Sequence, residues 1–332
     1  MTDLFREAPT FSESSRFEYA KAVTALAENG FSSYIVKEAE HPLAKALGFP
    51  FTAANLPTPS ISKEYVGSDS LCEISRLRIN VLPSLPFFGL MFVPHGVTPP
   101  YNLCIAAHGN LGTPELMYGM HGKNGYSNLI PRLLAKGVCV FAPQFLIWNC
   151  GMSPAKPQYE TAFNRQLIDE KLKSHGGGIN ALEIFSITRC VDALLNLHIF
   201  NREELSVCGM SYGALLTLRA MALDKRIKKG YFMCCFNGGI DDRFPEWEML
   251  PNHPKFYDSD IAGMCAPRPV FVEVAAKDEF FPLDGAIRMA ERAKAKFRAA
   301  NAGENFVFSI YDGFHIVPPE SRGVDFITQP YL

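Results

Sequence analysis

The stretch ELSVCGMSYGALLTLRAMA, residues 204–222, decides how the rest of the chain is read. It begins as an apolar run of strand length, breaks at Gly209-Met210-Ser211-Tyr212-Gly213, and continues with apolar residues at helical spacing. A Gly-x-Ser-x-Gly string arises by chance in about one chain in ten of this length, so the five residues alone say little. The strand–turn–helix setting supplies a mechanical purpose: the glycines allow a tight, strained turn that lifts the serine above the carboxyl edge of a sheet. Ser211 is therefore read as a nucleophile. The chain carries its own control in CGMSPAK, residues 150–156, where Gly-Met-Ser recurs with Pro154 in place of Tyr and no closing glycine. Ser153 is read as a loop serine.

Outward from this turn the chain alternates. YNLCIAAHG, GVCVFAPQF, GYFMCCFNGG, RPVFVEVAAKDE and FVFSIYDGFH are short runs apolar on both faces, which suits a parallel sheet covered by helices. Between them lie the helix candidates YSNLIPRLLAKG, NALEIFSITRCVDALLNL, SYGALLTLRAMAL and DGAIRMAERAKAKFRAANAG. In the last, Ala286, Ala290, Ala293 and Phe297 share a stripe while Arg288, Arg292, Lys294 and Lys296 lie mostly elsewhere. CEISRLRINVL and FFGLMFVPHG, joined by PSLP, predict an antiparallel hairpin ahead of these units. The expected fold class is α/β, a doubly wound and mostly parallel sheet with right-handed crossovers. Residues 1–70 read as an N-terminal helical extension with helices at SRFEYAKAVTALAENG and EAEHPLAKALG and a Pro-rich exit, and 71–332 as the catalytic domain.

Composition narrows the function classes. The 332 residues are 48% hydrophobic and 20% charged, enough for a large core, and the net charge of −2 mixes both signs without the basic footprint of a nucleic-acid binder. Neither a signal-peptide pattern nor an apolar run of about 18 residues is seen, so no membrane partner and a cytoplasmic location are expected. Nine cysteines sit mostly in apolar runs without a disulfide framework, and eight histidines lack zinc-like spacing. No metal and no cofactor are assigned.

A serine hydroxyl needs a base, and the base needs a group that fixes its tautomer. In the implied fold these follow the serine in the order acid, then histidine. His315, in SIYDGFHIVP after the last strand-like run, is the base; His253 lies between prolines in a surface segment. Asp278, ending RPVFVEVAAKDEFFP, is the acid, with Glu279 and Asp284 as rivals and Asp312 read as a turn former. The oxyanion donors are the Tyr212 amide and one from HGNLG, with Asn110 preferred and Leu111 its nearest competitor. His108 is read as fixing that loop, and His95 and His121 have no catalytic role.

HGNLG, GMSYG, KDEFFP and DGFH, in this order at strand ends, resemble the α/β-hydrolase superfamily over roughly residues 71–320. ALDKRIKKGYFMCCFNGG and DIAGMCAPRPVFVEVAAKDEFFPLDGA are similar to the dienelactone hydrolase, acetyl xylan esterase and prolyl oligopeptidase group. The resemblance implies Ser211 as nucleophile, Asp278 as acid and His315 as base. Dienelactone hydrolases proper use cysteine where this chain has serine. Ala214 stands where the group often has a further glycine, and no propeller-sized segment precedes the catalytic part. The expected activity is hydrolysis of a small or medium carboxylic ester through an acyl-enzyme, and the expected partner is that small-molecule substrate; a homo-oligomer is compatible with the sequence. The alternatives are a serine peptidase releasing aminoacyl or dipeptidyl units, with Asp241, Glu246 and Glu248 as amine anchors, and a non-catalytic ligand-binding protein of the same fold. Aromatic and Pro-rich segments at 146–180 and 241–260 are candidate caps over the site.

Overall fold

Strands apolar on both faces need cover on both, and the sheet at the centre of the structure has it. The computed structural model describes residues 13–120, 125–146, 164–236, 249–251, 253, 255–319 and 322–330. Among these, nine strands form one sheet: β1 (Ser60–Ser68), β2 (Cys72–Leu82), β3 (Leu85–Pro94), β4 (Tyr101–Ala107), β5 (Cys139–Pro143), β6 (Phe200–Met210), β7 (Lys229–Met233), β8 (Val270–Ala275) and β9 (Phe306–Tyr311). Their order is β1-β2-β3-β5-β4-β6-β7-β8-β9. β1, β2 and β3 form an antiparallel entry, β3 pairs antiparallel with β5, and all pairings from β5 to β9 are parallel.

The helices are α1 (Glu13–Asn29), α2 (Pro42–Leu47), α3 (Pro114–Tyr118), α4 (Leu129–Leu134), α5 (Arg165–Ser174), α6 (Ile179–Leu195), α7 (Tyr212–Leu223), α8 (Asp258–Cys265), α9 (Leu283–Ala299) and α10 (Arg322–Thr328). The period of two along a strand splits the core between them. On β4, Leu103, Ile105 and Ala107 join the apolar residues of α1, α6, α7 and α9, while Cys104 and Ala106 face those of α3, α4 and α10. On α9 the stripe Ala286, Ala290, Ala293 and Phe297 is buried as expected. The eight described cysteines are free and buried, acting as small apolar residues. Cys150 and Ser153 lie outside the described residues. Among the described residues no helix is long and apolar enough to cross a membrane.

Two stretches that carried the family resemblance interlock. Arg226 forks onto the Asp224 carboxylate at 2.6 and 2.9 Å, and the Arg268 guanidinium donates to the carbonyls of Asp224 (2.9 Å) and Ile227 (2.8 Å). The exit of α7 and the entry of β8 are thereby tied together.

The N-terminal segment differs from its expectation. α1 and α2 are present, but Ser60–Ser68, expected to belong to the helical extension, is β1 and pairs antiparallel with β2. The sheet therefore starts before residue 71. SISKEYVGS lies at the sheet edge with only one buried residue, so its sequence lacks the apolar face that announces a strand. Of the expected cap segments, 146–180 contains α5 and the start of α6, and 241–260 contains the start of α8; residues 147–163, 241–248, 252 and 254 lie outside the described residues.

β4 and β6 are neighbours whose connections leave in opposite directions, β4 toward β5 and β6 toward β7. This is a topological switch point, where an open α/β sheet forms a crevice at its carboxyl edge.

Candidate active site

Ser211 sits at that switch point. It takes up φ 55° and ψ −120° between the end of β6 and the start of α7. For a residue with a side chain this backbone costs about 1–3 kcal/mol, so its surroundings must impose it. They do so through hydrogen bonds and through the flanking glycines. The Ser211 N–H donates to the Met233 carbonyl on β7 at 2.8 Å, and the Ser211 carbonyl accepts the Leu215 N–H at 3.0 Å. A Cβ at Gly209 would lie 2.4 Å from the Gly213 backbone, and one at Gly213 would lie 2.3 Å from the Ala107 carbonyl oxygen. Both glycines are needed for β6, α7 and β4 to approach this closely.

Asp278 and His315 meet at the same edge, two strands away. His315 Nδ1–H donates to Asp278 Oδ2 at 2.8 Å, and Asp278 Oδ1 accepts the amides of Phe280 and Phe281, each at 2.9 Å. Burial alone would raise the Asp278 carboxyl; the bond and charge of His315 and the two amides outweigh it and hold the pKa below the usual value. With Nδ1–H committed to Asp278, the neutral ring keeps its lone pair at Nε2. The ring lies between Phe280 and Phe281, with centroids at 4.9 and 5.4 Å. Its loop is fastened by Lys277 N–H to the Gly313 carbonyl, Val317 N–H to the Gly125 carbonyl, and the Tyr311 hydroxyl to the Phe314 carbonyl.

The rivals of Asp278 are separated by these contacts. Glu279 accepts the backbone N–H of His315 at 3.1 Å and leaves the ring to Asp278. Asp284 is exposed in the first turn of α9, and Asp312 pairs with Lys277 at 2.6 Å in the solvated turn. His253 lies beside α2, where Leu250 N–H bonds the Ala46 carbonyl. His95 bonds Ser68 and the Asp69 carbonyl. His121, Asp241, Glu246 and Glu248 lie outside the described residues.

β7 links serine and histidine: Met233 accepts the Ser211 amide, and the next residue, Cys234, donates its thiol to the Ile316 carbonyl at 3.4 Å. Between Ser211 and His315 no hydrogen bond is formed. Cys234 Sγ and ligand-type atoms of Asp278 and His315 lie within 4.8 Å of one another, and the bonds just named account for each.

The loop after β4 lies against the serine. A Cβ at Gly109 would come within 3.2 Å of Ser211 Cβ, and one at Gly112 within 1.9 Å of the Tyr126 hydroxyl. That hydroxyl accepts the Gly109 N–H at 3.0 Å, so the candidate donors of this loop are Asn110 and Leu111, the latter at φ 58°. Tyr212 presents its amide at the start of α7 and turns its ring inward. Its hydroxyl donates to the fully buried Glu183 carboxylate and accepts from Arg165 at 2.5 Å, with the Arg165 guanidinium 5.1 Å from the ring centroid. Burial raises the Glu183 carboxyl, and Arg165 opposes this. Sequence reading passed over this cluster, although a glutamate inside the apolar NALEIFSITRC was a visible signal.

No protein-family model and no curated protein matches the sequence. Solved structures do match. A glucuronoyl esterase from Solibacter usitatus superposes with a TM-score of 0.62 at 15% identity, over 93% of this chain and 91% of that one. A candidate acetyl xylan esterase from Bacteroides fragilis gives 0.60 at 15% identity over 88% and 81%. A cold-adapted esterase from an Arctic intertidal metagenomic library gives 0.54 at 14% identity over 80% and 96%. This chain has the α/β-hydrolase fold. Ser211 lies in the turn that follows β6, beside the switch point of this fold.

Proposed function

We propose that the protein is a serine hydrolase that cleaves small or medium carboxylic esters through an acyl-enzyme on Ser211. The observation that carries this reading is the 2.8 Å bond between His315 and Asp278 at the sheet edge where Ser211 is held in its strained turn. The Ser211 hydroxyl attacks the ester carbonyl while His315 Nε2 takes its proton. The negative charge that develops on the carbonyl oxygen falls to the amides of Tyr212 and of Asn110 or Leu111. Collapse breaks the bond to the alcohol, which leaves with the proton from His315. Water then attacks the acyl-enzyme with His315 again as base, and the carboxylic acid departs. The three solved relatives named above are all described as esterases, which favours an ester over an amide. The free thiols favour a reducing compartment such as the cytoplasm.

Fluorophosphonate labelling with peptide mapping tests this. The adduct is expected on Ser211, and Ser211→Ala is expected to abolish both labelling and p-nitrophenyl acetate hydrolysis. Labelling that persists in the variant, or faster cleavage of aminoacyl anilides than of acetyl and butyryl esters, eliminates the reading.

A further inference from the structure

The loop that faces Ser211 is anchored from a distance. Arg16, on α1, is buried between two elements that flank HGNLG. Its Nε–H donates to Gln144 Oε1 at 2.9 Å, just after β5, and its terminal nitrogen bonds Glu115 Oε2 at 3.1 Å, in α3 just after the loop. Gln144 is thereby oriented so that its amide nitrogen faces His108 Nε2 at 3.2 Å, and the Phe145 N–H donates to the same nitrogen at 3.1 Å. With Nε2 accepting, the His108 proton is on Nδ1, which donates to the Gly109 carbonyl at 2.8 Å. His108 has no exposed surface.

The Gly109 carbonyl and the Asn110 N–H belong to one trans peptide unit and point in opposite directions. Holding the first, which His108 does together with the Gly112 N–H at 3.1 Å, aims the second. We propose that Arg16 is a positioning residue for the oxyanion-binding amide of Asn110, acting through Gln144 and His108, so that the N-terminal helix completes the active site. This rests on the esterase reading of Ser211 and adds to it a residue that touches neither substrate nor triad. Arginine suits the task because one planar fork reaches both sides of the loop, where a lysine offers a single point charge.

The test uses the full-length protein with p-nitrophenyl acetate and active-site titration by a fluorophosphonate, so that turnover is counted per reactive serine. In Arg16→Ala the expected result is a fall in kcat per titrated site of about 10- to 100-fold, with KM changed by less than about threefold. A residue with a structural role alone would lower the titratable fraction and leave kcat per site unchanged; that outcome overturns the proposal while leaving the esterase reading intact. If Arg16→Ala does not fold, His108 decides. His108→Asn keeps a side-chain N–H within reach of the Gly109 carbonyl and His108→Leu does not, so the Asn variant is expected to retain at least about tenfold more kcat per site. Equal losses in the two overturn the proposal. A wild-type protein whose Ser211 resists the fluorophosphonate removes the esterase reading itself.

Discussion

Asp278 and Glu279 are adjacent in sequence and both bond His315, one at the ring and one at the backbone amide. Only the ring contact fixes a tautomer, so the two carboxylates differ in what their loss should do. Asp278→Asn is expected to lower kcat by about 10⁴-fold with the fold retained, because the amide favours the wrong tautomer. Glu279→Gln keeps an acceptor and is expected to stay within about threefold of wild type. Steady-state kinetics on the two folded variants check this, and similar losses in both would undo the assignment. His108 supplies a different measurement. Burial, helped by Arg16 and opposed by the bond to the Gly109 carbonyl, lowers its pKa from 6.5 to about 3. Below pH 6.5 the unfolded chain binds a proton here, and the folded protein does not until about pH 3. The stabilisation is complete above pH 6.5 and is lost progressively as pH falls through that window. Urea unfolding from pH 7 to 4 is expected to show this decline, and His108→Asn to flatten it; an unchanged slope in the variant would count against a neutral buried His108.

At the scale of elements, the strand–turn–helix unit depends on contact between α7 and β4. Any side chain at Gly213 meets the carbonyls of Ala107 and His108 at 2.3 and 2.5 Å, so α7 must move off the sheet to admit it. Gly213→Ala is accordingly expected to cost about 3 kcal/mol in denaturant unfolding, at the upper end of what overpacking does. A loss below about 1 kcal/mol would mean that the turn is looser than described. α9 makes the opposite case, since Phe297 is fully buried at the end of its apolar stripe. Truncation to Ala there leaves a cavity, and a loss of about 3–5 kcal/mol with kcat unchanged is the expected signature of packing remote from the chemistry.

For the whole molecule, the question is whether the N-terminal segment stands apart. Tyr19, Val23 and Leu26 of α1 and Leu43 and Leu47 of α2 belong to the same buried cluster as the inner strands, and β1 extends the sheet. A continuous core unfolds as a unit, so calorimetry is expected to show one transition. Two resolved transitions, one removed by deleting the first 59 residues, would restore the separate extension that the sequence suggested.

What the chain determined locally was legible in advance. The elbow around Ser211, the doubly apolar strands and the stripe of α9 repeat at periods of two or about 3.6 residues, and such periods are written within a dozen neighbours. The identities of Ser211, Asp278 and His315 as site candidates were legible for the same reason, since each follows a strand that announces itself. Tertiary structure decided the rest. β1 lacks an apolar face and exists because β2 offers it hydrogen bonds. Asp278, and not Glu279, takes the His315 ring only once the turn after β8 is folded against it. The Arg16–Gln144 and Arg16–Glu115 bonds join positions 128 and 99 residues apart, and Tyr212 meets Glu183 across 29. No local periodicity encodes such pairs: a buried charge finds its partner only when the sheet has brought the two elements together, and until then each reads as one more polar residue on a helix or a loop.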